Sequence, residues 1–224
     1  MQWRHAMQTD AATPWPFEEE IRAFELQAMQ APPPHGAIVC TGSSTMRCWR
    51  DNLAQDLAPL TVIPRGFGGS TMEDALHFVD RIVIACKPRA VVLYEGDNDI
   101  GKGTAPDAIM ASFHAFVERV HKGLAGARIY VLSIKPSIKR WSLWPVMEET
   151  NRLLAAACSR NKLLTYVDVA SGMLDATGKP RAELFLADML HMTRAGYLVW
   201  RDALRPVLLK AEQRFESQPP AKPA

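Results

Sequence analysis

Cysteine is scarce in this chain: four in 224 residues (Cys40, Cys48, Cys86 and Cys158), with no CxxC pair. That excludes a disulfide scaffold for a chain of this length, and the expectation is of buried free thiols. Long apolar runs are missing too, and none approaches the roughly eighteen uninterrupted residues that a membrane helix needs. The first twenty residues, MQWRHAMQTDAATPWPFEEE, lack the apolar core of a secretory leader. Charge of one sign is not in excess, since 26 basic residues are scattered among 24 acidic ones for a net +2. No footprint for nucleic acid or an anionic membrane stands out. These absences lead us to expect a cytoplasmic, soluble protein without membrane insertion or nucleic-acid binding, whose partner is small or neutral.

What the chain does contain is 48% hydrophobic residues, enough for one sizeable core. Five short apolar, β-branched runs stand at 37–40, 61–63, 90–94, 128–134 and 163–169. They lack strict alternation, as strands covered on both faces do. Segments with helical periodicity separate them, at 47–57, 71–86, 105–124 and 145–160, with a last one at 193–212. Strand and helix therefore alternate, which predicts an α/β fold: a three-layer α/β/α sandwich around a five-stranded parallel sheet. Residues 1–35 form an N-terminal extension whose stretch FEEEIRAFELQAM (17–29) has helical spacing, serving either to pack on the domain or to meet a partner. Residues 36–212 form the domain, and the proline-rich end, 213–224, is expected to be a disordered tail.

Ligands of open parallel sheets bind beyond the carboxyl ends of the strands. In this sequence small, polar and glycine-rich segments gather there: TGSSTM after the first run, PRGFGGST after the second, EGDNDIG after the third and KPSIKRW after the fourth. Before the last helix, LADMLHMTRAGY supplies Asp188 and His191 at a spacing of three. Acyl transfer requires a nucleophile, a base, a group that orients the base and donors for an oxyanion. This edge holds one of each. A serine hydroxyl needs an imidazole to take its proton, and a carboxylate fixes the tautomer of that imidazole. The glycines of GFGGS let backbone N–H groups approach a ligand, and the Asn98 amide is a further donor.

Gly42-Ser43-Ser44, Gly69, Gly96-Asp97-Asn98-Asp99 and Asp188-Met189-Leu190-His191 resemble, in that order, the four sequence blocks of the SGNH (GDSL-type) hydrolases, over residues 37–205. The resemblance implies a flavodoxin-like SGNH hydrolase fold and a serine esterase that needs no cofactor or metal. Ser44 is then the nucleophile, and His191 the base oriented by Asp188. The implied oxyanion hole consists of the Ser44 and Gly69 backbone N–H groups and the Asn98 side chain. The first block of the family usually reads Gly-Asp-Ser-Leu; here Ser43 replaces the Asp and Thr45 the Leu, so Ser43 stands as the second candidate nucleophile.

Taken singly, each of these residues has a plainer reading: Ser43 or Ser44 as a helix cap, the glycines as a tight turn, Asn98 as a turn former. The glycine loop fits neither phosphate-binding pattern, and the DND cluster lacks the spacing of a calcium loop. Trp141 and Trp144 either line a substrate wall or cover the core edge. Lys135, Lys139 and Arg140 either meet an anionic substrate or are solvated. The expected substrate is a small ester with a short acyl group, through an acyl-Ser44 intermediate. Acyl transfer to an alcohol or sugar, carbohydrate deacetylation, lysophospholipid hydrolysis and a non-catalytic binding module are the alternatives, and the oligomeric state is left open.

Overall fold

The structure, a computed structural model, describes residues 15–216. Five parallel strands, β1 (Ile38–Gly42), β2 (Val62–Gly66), β3 (Ala90–Tyr94), β4 (Arg128–Leu132) and β5 (Leu164–Val167), lie in the order β2-β1-β3-β4-β5. Seven helices among the described residues cover them: α1 (Glu18–Gln30), α2 (Ser44–Asp56), α3 (Met72–Ile82), α4 (Asp97–Gly101), α5 (Pro106–Gly123), α6 (Trp144–Ser159) and α7 (Arg194–Glu212). None of the described helices is long and apolar enough to cross a membrane.

The unbroken apolar runs are explained by the two faces of the sheet. Along β1 and β3, Val39, Val91 and Leu93 point into a core shared with Ile21 and Phe24 of α1, Phe78 of α3, Phe113 and Phe116 of α5 and Leu154 of α6. Ile38, Cys40, Val92 and Tyr94 point the other way, against Trp49 and Leu53 of α2 and Trp200, Leu204 and Leu208 of α7. Successive residues on a strand face opposite sides, so a strand buried on both needs apolar residues at every position. The N-terminal helix thus packs on the domain, closing the first of these cores.

Some boundaries differ from those expected. β4 stops at Leu132 because Ile134 is taken by the Asn151 side chain, which accepts from its N–H (2.7 Å) and donates to its carbonyl (2.9 Å). β5 stops at Val167, since the N–H groups of Val169 and Ala170 donate to Ser133 Oγ at 2.9 and 3.0 Å. Order continues past the expected boundary at 212. Gln213–Phe215 form a 3₁₀ turn, and Glu216 accepts from Thr61 N (2.9 Å) and Thr61 Oγ1 (2.7 Å). The rest of the expected tail lies outside the described residues. Glu212, fully buried, accepts from Arg89, Arg128 and Tyr130, which ties the end of α7 to the amino edge of the sheet. The carboxyl edge is thereby left to the polar loops.

Candidate active site

The strand order reverses direction between β1 and β3, and a crevice opens there because the connections leave on opposite sides. Register brings the loops to one level, with Gly42 paired to Gly66 on one side and to Tyr94 on the other. Ser44, Gly69 and Asn98 follow within a few residues of these ends. Gly42 is required by close approach: it has φ 148°, and a Cβ there would lie 2.2 Å from the Tyr94 carbonyl oxygen.

The helix starts one residue earlier than a cap reading of Ser44 would need. Ser43 is the N-cap of α2, and its own side chain makes no capping bond. It is 2% exposed, whereas Ser44, the first helical residue, is half-buried with its hydroxyl toward the crevice loops. Ser44 Oγ lies 2.9 Å from His191 Nε2, and His191 Nδ1 lies 2.5 Å from Asp188 Oδ2. Of the two serines, the structure brings Ser44 to the histidine.

The loop between β5 and α7 carries this pair back over the strand ends. An antiparallel bridge between Phe185 and Met192 closes it, and Leu186 N donates to the His191 carbonyl at 2.8 Å. Met189 adopts a left-handed conformation, φ 60°, which folds Asp188 back on the chain. Asp188 Oδ1 then accepts from the N–H groups of Leu190 (3.0 Å) and His191 (2.9 Å). The hydrogen bond with His191, aided by these N–H groups, holds the Asp188 carboxyl well below the usual carboxylate range. An ionised Asp188 is acceptor only, so Nδ1 carries a proton toward it and Nε2 of the neutral ring is left to accept from Ser44.

On the opposite side lie the donors. No hydrogen bond among the described residues takes up the N–H of Ser44, at the first turn of α2, or that of Gly69. Asn98 Nδ2 donates one proton to the Ser70 carbonyl at 3.0 Å, and an amide has a second. Gly69 is adjacent, since a Cβ built on it would meet Asn98 Nδ2 at 3.8 Å. Behind Gly69, Glu20 of α1 accepts from Gly68 N (3.1 Å) and from Arg47 of α2 (3.2 Å), so the N-terminal helix braces the glycine loop.

Asn98 sits above three buried carboxyl groups, Glu95, Asp97 and Asp99. Burial pushes Glu95 well above the usual range; Ser70 Oγ donates to its Oε1 at 2.6 Å, and its Oε2 has no partner among the described residues. Burial raises Asp99 to about 6, against the opposing hydrogen bond from Met72 N (3.0 Å). Burial would raise Asp97 as well, but Lys135 and Arg140 outweigh it and hold the carboxyl low.

The remaining expected residues fall elsewhere. Trp144, the first residue of α6, is 8% exposed in the core and lines a cavity of about 600 Å³ with Asn151, Tyr166 and Asp168. Trp141 is half-buried against the same core, its ring stacked on that of Trp144 at 5.9 Å. Trp144 thus packs in the core cluster while its remaining exposed edge borders that cavity. Lys135 is fully buried and so neither solvated nor free to meet a substrate. Another cavity, of about 350 Å³, lies between α2 and α7 beside Arg194, Arg201 and Arg205, away from Ser44.

The model of the GDSL-like lipase/acylhydrolase family matches residues 35–199. The chain belongs to that family. Known structures share the fold. A GDSL-like lipase from Bacteroides thetaiotaomicron superposes with a TM-score of 0.74 at 19% identity, covering 85% of this chain and 98% of its own. A Bacteroides fragilis protein designated an acylhydrolase gives 0.76 at 22% identity, over 88% and 98%. For an acetyl xylan esterase variant from Geobacillus stearothermophilus the values are 0.63 and 16%, over 77% and 94%. No curated protein sequence matches the chain. As a GDSL-like acylhydrolase the protein is an ester hydrolase.

Sequence reasoning about this acylhydrolase missed Glu20, Glu95 and the pairing of Asp97 with Lys135 and Arg140. The available signal was charge where a core was expected: Glu95 directly follows the apolar run AVVLY, and Lys135 directly follows RIYVLSI.

Proposed function

We propose that the protein hydrolyses carboxylic esters of short acyl groups through an acyl-Ser44 intermediate. The observation that carries this reading is the continuous chain Ser44 Oγ to His191 Nε2 (2.9 Å) and His191 Nδ1 to Asp188 (2.5 Å) at the switch point of the sheet. Ser44 Oγ attacks the ester carbonyl carbon while its proton passes to His191 Nε2. Asp188 stabilises the imidazolium that results. Negative charge grows on the carbonyl oxygen and is met by the Ser44 and Gly69 N–H groups and the free proton of the Asn98 amide. Collapse expels the alcohol, which takes the proton from His191. Water then repeats the sequence on the acyl-enzyme, with His191 again the base and the carboxylic acid leaving from Ser44.

The test combines labelling with a substrate panel. A fluorophosphonate should modify Ser44, and Ser44→Ala should lower turnover of aryl acetates by about 10⁴-fold or more, while Ser43→Ala retains much of it. Label on Ser43, or activity surviving Ser44→Ala, would overturn the assignment. Acetylated sugars belong in the panel because the acetyl xylan esterase shares the fold, and acyl chains of graded length test the preference for short groups. Products formed with an added alcohol distinguish hydrolysis from acyl transfer.

A further inference from the structure

Asn98 can serve as an oxyanion donor only if its NH₂ end, and not its oxygen, faces the crevice. The two ends of an amide have nearly the same shape, so packing alone does not choose between them. The neighbours of Asn98 do. Arg140 Nη1 and Nη2 both lie 3.1 Å from Asn98 Oδ1, and a guanidinium has donors but no acceptor. The end of Asn98 that meets Arg140 is therefore the oxygen. The nitrogen is turned toward the Ser70 carbonyl and Gly69.

Arg140 is itself fixed from several sides. Its Nη1 donates to Asp97 Oδ1 (2.6 Å) and to the Asp97 carbonyl (2.9 Å). Its guanidinium lies against Gly101 at the end of α4, where a Cβ would come within 2.7 Å of Cζ. The other oxygen of Asp97 accepts from Lys135 Nζ at 3.2 Å, and Lys135 also donates to the Leu190 carbonyl at 2.9 Å, next to His191. A carboxylate directly behind an oxyanion hole would repel the charge that forms there. Two cations on Asp97 more than offset it, while Arg140 Nη2 is left to donate to Asn98.

We infer that Arg140 is a positioning residue of the reaction: held by Asp97, whose other oxygen Lys135 fixes, it orients the Asn98 amide so that its N–H points to the developing oxyanion. This rests on the reading of Asn98 as a donor. The test is a double-mutant cycle on kcat and KM with an aryl acetate, alongside melting curves. Arg140→Ala should lower kcat by roughly 10- to 100-fold with KM changed less than about twofold, because the lost contact acts only as charge develops. Arg140→Lys, which keeps the charge but not the fork, should recover only part of the loss. In the Asn98→Ala background Arg140→Ala should cost less than about twofold more, since the group it orients is gone. Gly101→Ala displaces the guanidinium while leaving every charge present, so it serves where Arg140→Ala melts too low to assay, and should lower kcat likewise. An equal loss from Arg140→Ala in both backgrounds overturns the inference, as does a folded Gly101→Ala enzyme with full kcat. An unchanged kcat in Asn98→Ala alone overturns instead the donor reading beneath it.

Discussion

The two sides of the candidate site are built in opposite ways. Asp188 and His191 stand on an exposed turn, three residues apart, and their hydrogen bonds are made almost wholly within residues 186–191. Asn98 stands on a short helix whose support comes from four other elements: Ser70 before α3, Arg140 before α6, Lys135 after β4, and, through the glycine loop, Glu20 of α1. The first side is locally determined and solvated. The second is desolvated and charged, and each carboxyl must be matched by a cation or carry its own proton. An orienting carboxylate has only to stay ionised, which the His191 hydrogen bond and two backbone N–H groups achieve. A donor aimed at a transient charge has to be held rigid before the charge appears.

If this contrast is right, changes on the two sides separate rate from stability in different ways. The largest effect on turnover among these is expected from Asp188→Asn, which disturbs the histidine tautomer and should lower kcat by up to about 10⁴-fold. Because Asp188 is exposed, its melting temperature should stay close to the parent's. A large drop in melting temperature would mean that the turn is part of the core after all. Next is Asn98→Ala, expected to lower kcat by roughly 10²- to 10³-fold with KM little changed. Here the melting temperature should fall too, since Arg140 loses an acceptor in a half-buried setting. A rise in KM alone would make Asn98 a ground-state contact.

Glu20→Ala removes the brace behind the glycine loop without touching any reacting group. It should lower kcat by less than roughly tenfold, and an unaltered kcat would restrict α1 to packing. Smallest on turnover is Asp99→Asn. The folded Asp99 carboxyl lies at about 6, above its value of 3.8 in a free chain, so between these pH values the folded state holds the extra proton. Stability from this group is therefore present in acid and lost as pH rises through about 6. Asn98's neighbour as an amide still accepts from Met72 N. Asp99→Asn should thus raise stability at pH 8 by up to about 3 kcal/mol and add little at pH 4, measured by urea unfolding. A gain independent of pH would assign the effect to packing.

The contrast also explains which parts could be read in advance. The strands were legible in AIVC, AVVLY and RIYVLSI because burial on both faces leaves an unbroken apolar run. α4 was not, since GDNDIG reads as a turn and its five residues are too few to show a period. Asp188 and His191 were legible as a pair because their contact needs no distant residue. Lys135 and Arg140 read only as loop charges, solvated or facing an anionic substrate, for nothing in KPSIKRW reveals that Asp97, some forty positions earlier, lies beneath them.

What the sequence alone determined is the alternation of buried strands with helices, the gathering of polar loops at one sheet edge, and the histidine–aspartate turn. Each depends on periodicity or contact between near neighbours, which contiguous residues encode. The tertiary structure alone decided that Ser44 and not Ser43 meets His191, that Trp144 belongs to the core, and that Asn98 stands between Arg140 and the Ser70 carbonyl. These depend on where one helix begins relative to another element's loop, and on which charges are desolvated together. Such facts exist only once strands far apart in the chain are in register, because an ion pair or an oriented amide is a property of the space between elements.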